Sequence, residues 1–103
     1  MDRETAAIAR PFAARLRKRF SPEKIILFGS RARGDHFRTS DFDFIVVSKR
    51  FAGTPFVLRP AALYDLWTAK VDLEAICYTP DEFARKAKQL GTVRTALREG
   101  IAV

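Results

Sequence analysis

Apolar positions recur along this chain with two different periods, and each period predicts a different kind of element. Through the first 20 residues an apolar side chain returns every fourth position, which predicts one amphipathic helix ending before Ser21 and Pro22. The members of this stripe are Ile8, Phe12, Leu16 and Phe20. Because the positions between them are largely basic, we expect the helix to cover a sheet with its apolar face.

Short runs of apolar and β-branched residues predict three strands. Residues 25–28 are wholly apolar and lead into Gly29 and Ser30, which indicates a buried central strand that enters a tight turn. Phe42–Val47 and residues 71–76 have the composition of a second and a third strand. The alternation of these strands with helices predicts an α/β (α+β) protein.

Helix signals recur in the second half of the chain. Pro60 opens one helix, and Thr79 is an N-cap candidate for another that is predicted to run to Gly91, where a last short helix follows. The three predicted apolar faces are Leu63, Leu66 and Trp67; Phe83, Ala87 and Leu90; and Val93, Ala96 and Leu97. The tail at 101–103 is apolar enough to pack on the protein or to meet a partner.

The length of the chain predicts a single domain over residues 1–103, without room for a second module that would hold a large substrate. No apolar run approaches the roughly 20 residues of a membrane helix, and the first residues lack a secretory pattern. The expected location is therefore the cytoplasm, with no membrane partner. The single Cys77 cannot form an internal disulfide and is expected to be a small buried apolar residue.

The formal net charge of +7 attracts nucleotides, nucleic acid or an acidic protein surface, and does not distinguish among them. Much of the excess lies in the first helix, where a binding patch and a solvated helix face fit the pattern equally well. These cations are Arg10, Arg15, Arg17, Lys18 and Arg19. Direct binding of nucleic acid therefore stays open at this point.

Two carboxylates begin the second predicted strand. Asp41 and Asp43 are two positions apart, so their side chains leave the same face while Phe42 and Phe44 point to the other. Two like charges at this spacing repel unless water, a proton or a cation relieves them. Mg²⁺ prefers oxygen ligands and is usually held by one or two carboxylates with substrate phosphates, so the pair predicts a magnesium site. The alternative is a solvated acidic strand end.

A phosphate-binding turn is predicted at the end of the first strand. Gly29 permits close approach of a ligand, Ser30 offers a hydroxyl and an N–H, and a short helix can begin there. Arg31 or Arg33 could complement the phosphate charge. The alternative is a plain turn with exposed arginines. A phosphate cradle and a metal-binding pair are complementary halves of nucleotidyl transfer, so their occurrence together favours that chemistry.

These residues resemble a known family. Residues 29–34, of sequence Gly-Ser-Arg-Ala-Arg-Gly, are followed by Ser40, Asp41, Phe42 and Asp43 with ten residues between Ser30 and Asp41. This arrangement resembles the GSxARG…SDxD signature of the polymerase-β-like nucleotidyltransferases, in their minimal branch. The resemblance implies a small mixed β-sheet flanked by α-helices.

The same resemblance implies the ligands of the site. ATP or another nucleoside triphosphate would bind at Gly29, Ser30, Arg33 and Ser40, and two Mg²⁺ ions would be held by three carboxylates. The transferred group would be a nucleoside monophosphate, with pyrophosphate leaving. Tyr64 and Trp67 are expected in the core or an interface, and not as a platform for the base.

Asp41, Asp43 and Asp72 are the metal-binding and catalytic carboxylates that the resemblance implies. Asp72 lies in a Val-Asp-Leu context that resembles the third acidic position of the family. Because alternation puts Glu74 on the same face of the predicted strand, Glu74 could replace or assist it. His36, in the loop between the motifs, is expected to be simply solvated and receives no role.

The acceptor is also a matter of resemblance. Stand-alone minimal nucleotidyltransferases are similar to the antitoxins of two-gene modules, which transfer AMP to a tyrosine of a HEPN-type ribonuclease toxin. The chain would then be an antitoxin whose partner is such a toxin. Two alternatives remain at this point: transfer to a nucleic-acid end or a small molecule, and a non-catalytic antitoxin that acts by binding alone.

Overall fold

The computed structural model describes all residues from Met1 to Val103 as a four-stranded sheet between two helical layers. The helices are α1 (Arg3–Phe20), α2 (Ser30–Arg33), α3 (Pro60–Tyr64), α4 (Pro80–Ala87) and α5 (Thr92–Glu99). The strands are β1 (Lys24–Phe28), β2 (Phe42–Val47), β3 (Leu73–Tyr78) and β4 (Ile101–Ala102). Two single turns of 3-10 helix, Lys49–Phe51 and Phe56–Leu58, lie in the crossover from β2 to β3.

The sheet is mixed, as the family resemblance implies. Its strand order is β3-β2-β1-β4, with β2 antiparallel to β1 and parallel to β3. The parallel pair needs a crossover, which the two 3-10 turns and α3 supply. The apolar tail, predicted to pack or to meet a partner, pairs antiparallel with Ile26 and Leu27 of β1 as strand β4.

Each face of the sheet has its own apolar core, because side chains alternate along the strands. The larger core lies under α1 and α3, and its α1 members include the predicted Phe12, Leu16 and Phe20. The smaller core lies under α4 and α5 and includes Phe83 and Val93. Cys77 is buried in the larger core, as predicted, and burial raises the pKa of its thiol to about 12.

The third strand lies two residues later than predicted. Pairing between β2 and β3 begins with Phe42 beside Leu73, and it continues to Tyr78 because β2 offers partners to Val47. The carbonyl of Val71 accepts a hydrogen bond from the Trp67 indole at 2.8 Å, so this residue belongs to the turn before β3. Asp72 therefore precedes the strand and does not lie within it.

Three predicted helix faces extend too far. The helix from Pro60 ends at Tyr64, and Trp67 reaches the core from a turn, where it packs against the rings of Phe12, Phe42 and Phe44. Helix α4 ends at Ala87, before the predicted stop at Gly91. Leu90 and Leu97, predicted to face inward, are 87% and 47% exposed. Periodicity alone does not show where the sheet ends, so it does not show which helix residues have a strand to cover.

None of the five helices is both long enough and apolar enough to cross a membrane.

Candidate active site

The turn after β1 brings the chain back toward β2. Gly29 has a φ of +74°, in the left-handed region, and its carbonyl accepts hydrogen bonds from the amides of Ala32 and Arg33, both at 3.1 Å. A Cβ on Gly29 would stand 2.4 Å from Oδ2 of Asp43, closer than any side chain tolerates. Glycine is therefore required here both by the backbone conformation and by the carboxylate beside it. The predicted phosphate turn and the predicted metal pair are in contact.

Ser30 is the first residue of α2 and is half-buried, with its carbonyl accepting from the amide of Gly34 at 2.8 Å. Arg33, at the other end of this one-turn helix, is exposed and forms ion pairs with Asp35 at 3.1 Å and Glu99 at 3.6 Å. Its positive charge also acts on Asp43, where it offsets part of the rise in pKa described below. Arg33 thus acts on the carboxylate that lies beside Gly29.

Asp43 lies inside β2, in register with Phe28 of β1 on one side and Glu74 of β3 on the other. Phe42 and Phe44, its neighbours in the strand, are fully buried on the opposite face against α1. The strand thus holds the carboxylate by two ladders of hydrogen bonds and an anchored core face. Asp41, one residue before β2, is half-buried.

Asp43 titrates well above its ordinary range. Burial is the largest cause, followed by a hydrogen bond with Glu74 and by the negative charges of Glu74 and Asp41, and together they raise the pKa of Asp43 to about 6. The hydrogen bond between two carboxyl groups requires that one of them carry a proton. The site thus holds more negative charge than the protein alone neutralises.

The carboxylate in register beside Asp43 is Glu74, which the sequence ranked behind Asp72. Asp72 precedes β3 and, like Glu74, is exposed; its carbonyl accepts a hydrogen bond from the amide of Phe42 at 2.9 Å. Asp72 and Glu74 still line one open cavity together with Asp41. The pairing register of the two parallel strands brings Glu74 and Asp43 together, and the sequence alone does not specify that register.

The loop between the motifs has its own supports. The hydroxyl of Ser40 accepts a hydrogen bond from the amide of Phe37 at 2.8 Å, so this side chain closes a turn. His36, expected to be solvated, is largely buried, and its Nε2 lies 2.7 Å from a carboxylate oxygen of Asp2, the N-cap of α1. The expectation failed because the loop folds back onto the start of α1.

Parts of the basic first helix are used within the fold. Arg15 donates to the carbonyl of Leu66 at 2.8 Å, and Arg17 donates to the carbonyl of Val103. Arg10 and Lys18 remain exposed. The positive charge of α1 is therefore only in part a surface available to a partner.

The carboxylate oxygens of the site suit a hard divalent cation, although these side chains do not converge on a common point. No three Asp, Glu, His or Cys side chains are arranged to hold a metal ion. Burial, first, and the negative charges of Glu74 and Asp41 nevertheless raise the pKa of Asp43, and a bound cation would relieve that repulsion. Oxygen ligands are those that Mg²⁺ prefers, and substrate phosphates usually complete its shell. The residues therefore fit Mg²⁺ bound together with a triphosphate.

Comparison with known proteins agrees with this geometry. The family profile described as nucleotidyltransferase domain matches residues 10–103. A solved structure from Sulfolobus solfataricus, inferred to be a nucleotidyltransferase, superposes with a TM-score of 0.67 at 23% identity, over 96% of this chain and 78% of that one. No curated protein matches the sequence.

Two proteins from Arabidopsis thaliana share part of the fold. BolA1 superposes with a TM-score of 0.59 at 24% identity, over 72% of this chain and 93% of that one. The BolA domain of SufE1 gives a TM-score of 0.51 at 25% identity, over 72% and 95%. These likenesses concern the arrangement of elements and carry no function. Because the family profile spans nearly the whole sequence and the fold agrees with it, the chain belongs to the nucleotidyltransferase domain family, as a minimal member.

Proposed function

We propose that this protein transfers AMP from ATP to a hydroxyl group of a partner protein, in a reaction that depends on Mg²⁺. The observation that carries the proposal is the contact between the two motifs. The carboxylate of Asp43 lies over Gly29, so a phosphate bound at the turn would stand beside a partly buried carboxylate whose pKa is raised to about 6 by burial and by its acidic neighbours.

Each motif has a separate task in this reaction. The Gly29–Ser30 turn binds the triphosphate, and Arg33 adds positive charge at the same edge. Asp41 and Asp43 hold the metal. When bound, two Mg²⁺ ions supply acidity to the acceptor hydroxyl and stabilise the leaving pyrophosphate. Ser40, as the support of the loop before Asp41, keeps the second motif in place.

The third carboxylate is assigned by position to Asp72, with Glu74 as its alternative. Asp72 lies beside the start of β2, where its carbonyl accepts the Phe42 amide, and Glu74 contacts Asp43 directly. Under this assignment Asp72→Asn loses transfer and retains ATP binding, whereas Glu74→Gln keeps measurable transfer. The opposite ranking of the two variants would assign the third ligand to Glu74.

A protein acceptor is supported by exposed apolar side chains in the crossover from β2 to β3. Tyr64 lines the cavity with Asp41 and Glu74 and is 51% exposed. In the crossover that leads to it, Val57 and Leu58 are 80% and 60% exposed. From 51 to 69 the one cationic residue is Arg59, which is buried, and the exposed Lys70 is the one cation that lines the cavity. Nucleic-acid ends are bound through many cations, so an apolar protein surface is the better match.

The resemblance to antitoxins specifies the acceptor further, as a tyrosine of a HEPN-type ribonuclease toxin. An added phosphodiester would place negative charge on the toxin and oppose its binding of RNA. Such a pair would work in the cytoplasm, where ATP and the RNA substrate meet. The chain would then act as an enzymatic antitoxin.

The acceptor is tested with ATP labelled in its α-phosphate. The purified chain, ATP and Mg²⁺ are incubated with the product of the neighbouring gene or with total RNA. The proposal expects label on a tyrosine of the protein, and none when the label is in the γ-phosphate. Label on RNA would select the nucleic-acid alternative. Inhibition of the partner without label would select binding alone.

The docking surface has a matched pair of variants. Leu58→Glu, at the exposed crossover, should lower kcat/KM for the protein acceptor by about tenfold or more, because a charge would oppose apolar contact. Leu90→Glu, at a still more exposed leucine beyond α4, should have no effect. Equal rates for Leu58→Glu and Leu90→Glu would contradict docking at the crossover.

A further inference from the structure

We propose that Arg31 is a positioning residue, which fixes the backbone that carries Asp41 from the opposite face of the sheet. Arg31 occupies the variable position of the Gly-Ser-x-Ala-Arg-Gly motif. The inference rests on the proposed function, because it concerns one of the same carboxylates.

Arg31 is buried to a degree that is unusual for arginine. Its residue exposure is 1%, and its guanidinium lies 4.3 Å from the centre of the Phe42 ring. All its hydrogen bonds go to neutral oxygens: the carbonyl of Ser40 at 3.1 and 3.3 Å, the carbonyl of Arg38 at 3.1 Å, and the Thr5 hydroxyl at 3.3 Å. A buried cation is therefore stabilised without a carboxylate partner.

Such an arrangement is costly if stability is its only purpose. Removing a guanidinium from water carries a penalty, and an apolar residue of similar volume often fills such a space equally well. What an apolar residue cannot do is hold two carbonyl groups of a loop in fixed positions. The planar fork of arginine, with its five donors, is suited to this task.

The carbonyl groups that Arg31 holds lead directly to the active site. The Ser40 carbonyl belongs to the peptide unit that joins Ser40 to Asp41, so binding its oxygen orients the backbone of Asp41. On the far side of Asp41, the amide of Phe42 donates to the carbonyl of Asp72 at 2.9 Å. The Phe42 ring lies against the guanidinium itself. Arg31 thus fixes the segment from Ser40 to Phe42 through main chain and side chain together.

The site needs this external support because Asp41 lies outside the sheet. Asp43 is held on both sides by strand pairing, with Phe28 and Glu74. Asp41 precedes β2 and receives no such ladder. A shift of about 1 Å in a positioned group can cost about a hundredfold in rate, so the clamp on Ser40 bears on the chemistry. It exerts this effect without touching nucleotide or acceptor.

The experiment compares Arg31→Lys with Arg59→Lys. Arg59 is also buried, but it is ion-paired with Glu82 and binds the carbonyls of Thr54 and Cys77, away from the carboxylates. ATP binding is measured by calorimetry for both variants, once with Mg²⁺ and once with chelator. Amide resonances of Asp41, Phe42 and Asp43 are recorded in the free proteins.

Arg31→Lys should weaken binding of ATP with Mg²⁺ by about tenfold or more, as losing a support of a metal ligand typically does. Binding of ATP with chelator should stay unchanged, since the Gly29–Ser30 turn is intact. The Asp41 and Phe42 resonances should shift in Arg31→Lys and stay in place in Arg59→Lys. If Arg31 had only a structural role, Arg31→Lys would weaken ATP binding equally with Mg²⁺ and with chelator.

Two results overturn the positioning role: wild-type binding of Mg²⁺ and ATP by Arg31→Lys, or an equal loss with and without the metal. If even the wild type shows no metal-dependent binding of ATP, the proposed function fails. The resonances still decide the role of Arg31 in that event, because a shift confined to Arg31→Lys supports the clamp and its absence overturns it.

Discussion

At the scale of single residues, Gly29 and Asp43 are so close that a side chain at position 29 would clash with the carboxylate. The Oδ2 atom of Asp43 lies 2.4 Å from where a Cβ of residue 29 would be, and Gly29 has a positive φ. The phosphate-binding turn and the carboxylate strand consequently cannot vary independently. A substitution in the turn or in the strand therefore affects both the phosphate-binding half and the carboxylate half of the site.

Gly29→Ala tests this contact, and Gly53→Ala is its control. Both glycines have positive φ, at +74° and +86°, but nothing lies within 4 Å of a Cβ on Gly53. Gly53→Ala should lose about 1–2 kcal/mol of stability from backbone strain alone. Gly29→Ala should lose roughly 1–3 kcal/mol more through the clash, together with ATP binding. Urea unfolding of both variants measures the difference, and equal losses would contradict the contact.

Asp43→Asn should change stability in opposite directions with and without ligand. At neutral pH the free protein should become more stable, because the substitution removes a charge that burial, Glu74 and Asp41 all oppose. In the presence of Mg²⁺ and ATP the variant should gain far less stability than the wild type. The exposed Asp65→Asn should behave as wild type in both conditions. A lower unfolding temperature for Asp43→Asn than for the wild type, measured in chelator, would contradict the account.

The sequence predicts those site residues that lie close together in the chain. Gly29, Ser30, Asp41 and Asp43 belong to short motifs whose spacing carries chemical meaning, and the structure brings both motifs into contact. The contact of Glu74 with Asp43 depends on strand register, and the burial of Arg31 depends on how a loop folds back. Neither relation is encoded by local spacing, so pattern alone does not reveal them.

At the scale of elements, the parallel pair β2 and β3 does most to build the site. Pairing sets Asp43 beside Glu74, and the first bond of the ladder ties Phe42 to the carbonyl of Asp72. The sequence predicts both strands but sets the third two residues early, since Val71 is as apolar as the strand itself. The start of a strand is fixed by its partner, which a single segment does not specify.

The start of α4 supplies a prediction on pH. Hydrogen bonds from Arg59, first, and from the Thr79 backbone lower the pKa of Glu82 from 4.5 to about 2. The folded state thus favours the charged form. The resulting stability is fully present above pH 4.5 and is lost as the pH falls toward about 2. Glu82→Gln should remove this part of the acid dependence.

Urea unfolding of the wild type and Glu82→Gln across that acid range checks the prediction. The control is Asp81→Asn, at an exposed acid in the same helical turn. The stability of Asp81→Asn should depend on pH in the same way as that of the wild type. Parallel pH profiles for the wild type and Glu82→Gln would show that the Arg59–Glu82 pair does not stabilise the fold in this way.

At the scale of the whole molecule, exposed cations and exposed apolar side chains are distributed unevenly. Arg10, Lys18 and Arg94 are exposed on helices α1 and α5, whereas the exposed Val57 and Leu58 lie in the crossover, whose exposed cations are confined to its two ends. Neither the composition nor the net charge of +7 predicts this distribution, because it depends on which elements reach the surface. The resemblance to known nucleotidyltransferases implies a mixed sheet, but neither it nor periodicity predicts the strand order.

The central claim is that the paired aspartates transfer AMP to a partner protein. The direct measurement is the intact mass of the product of the neighbouring gene after co-expression with this chain. The wild type should add one or more whole AMP units, and Asp41→Asn should reduce the modified fraction more than about a hundredfold. Glu23→Gln, at an exposed acid remote from the site, should leave the modification intact. An unmodified partner that is still inhibited, or modification that persists in Asp41→Asn, would contradict the account.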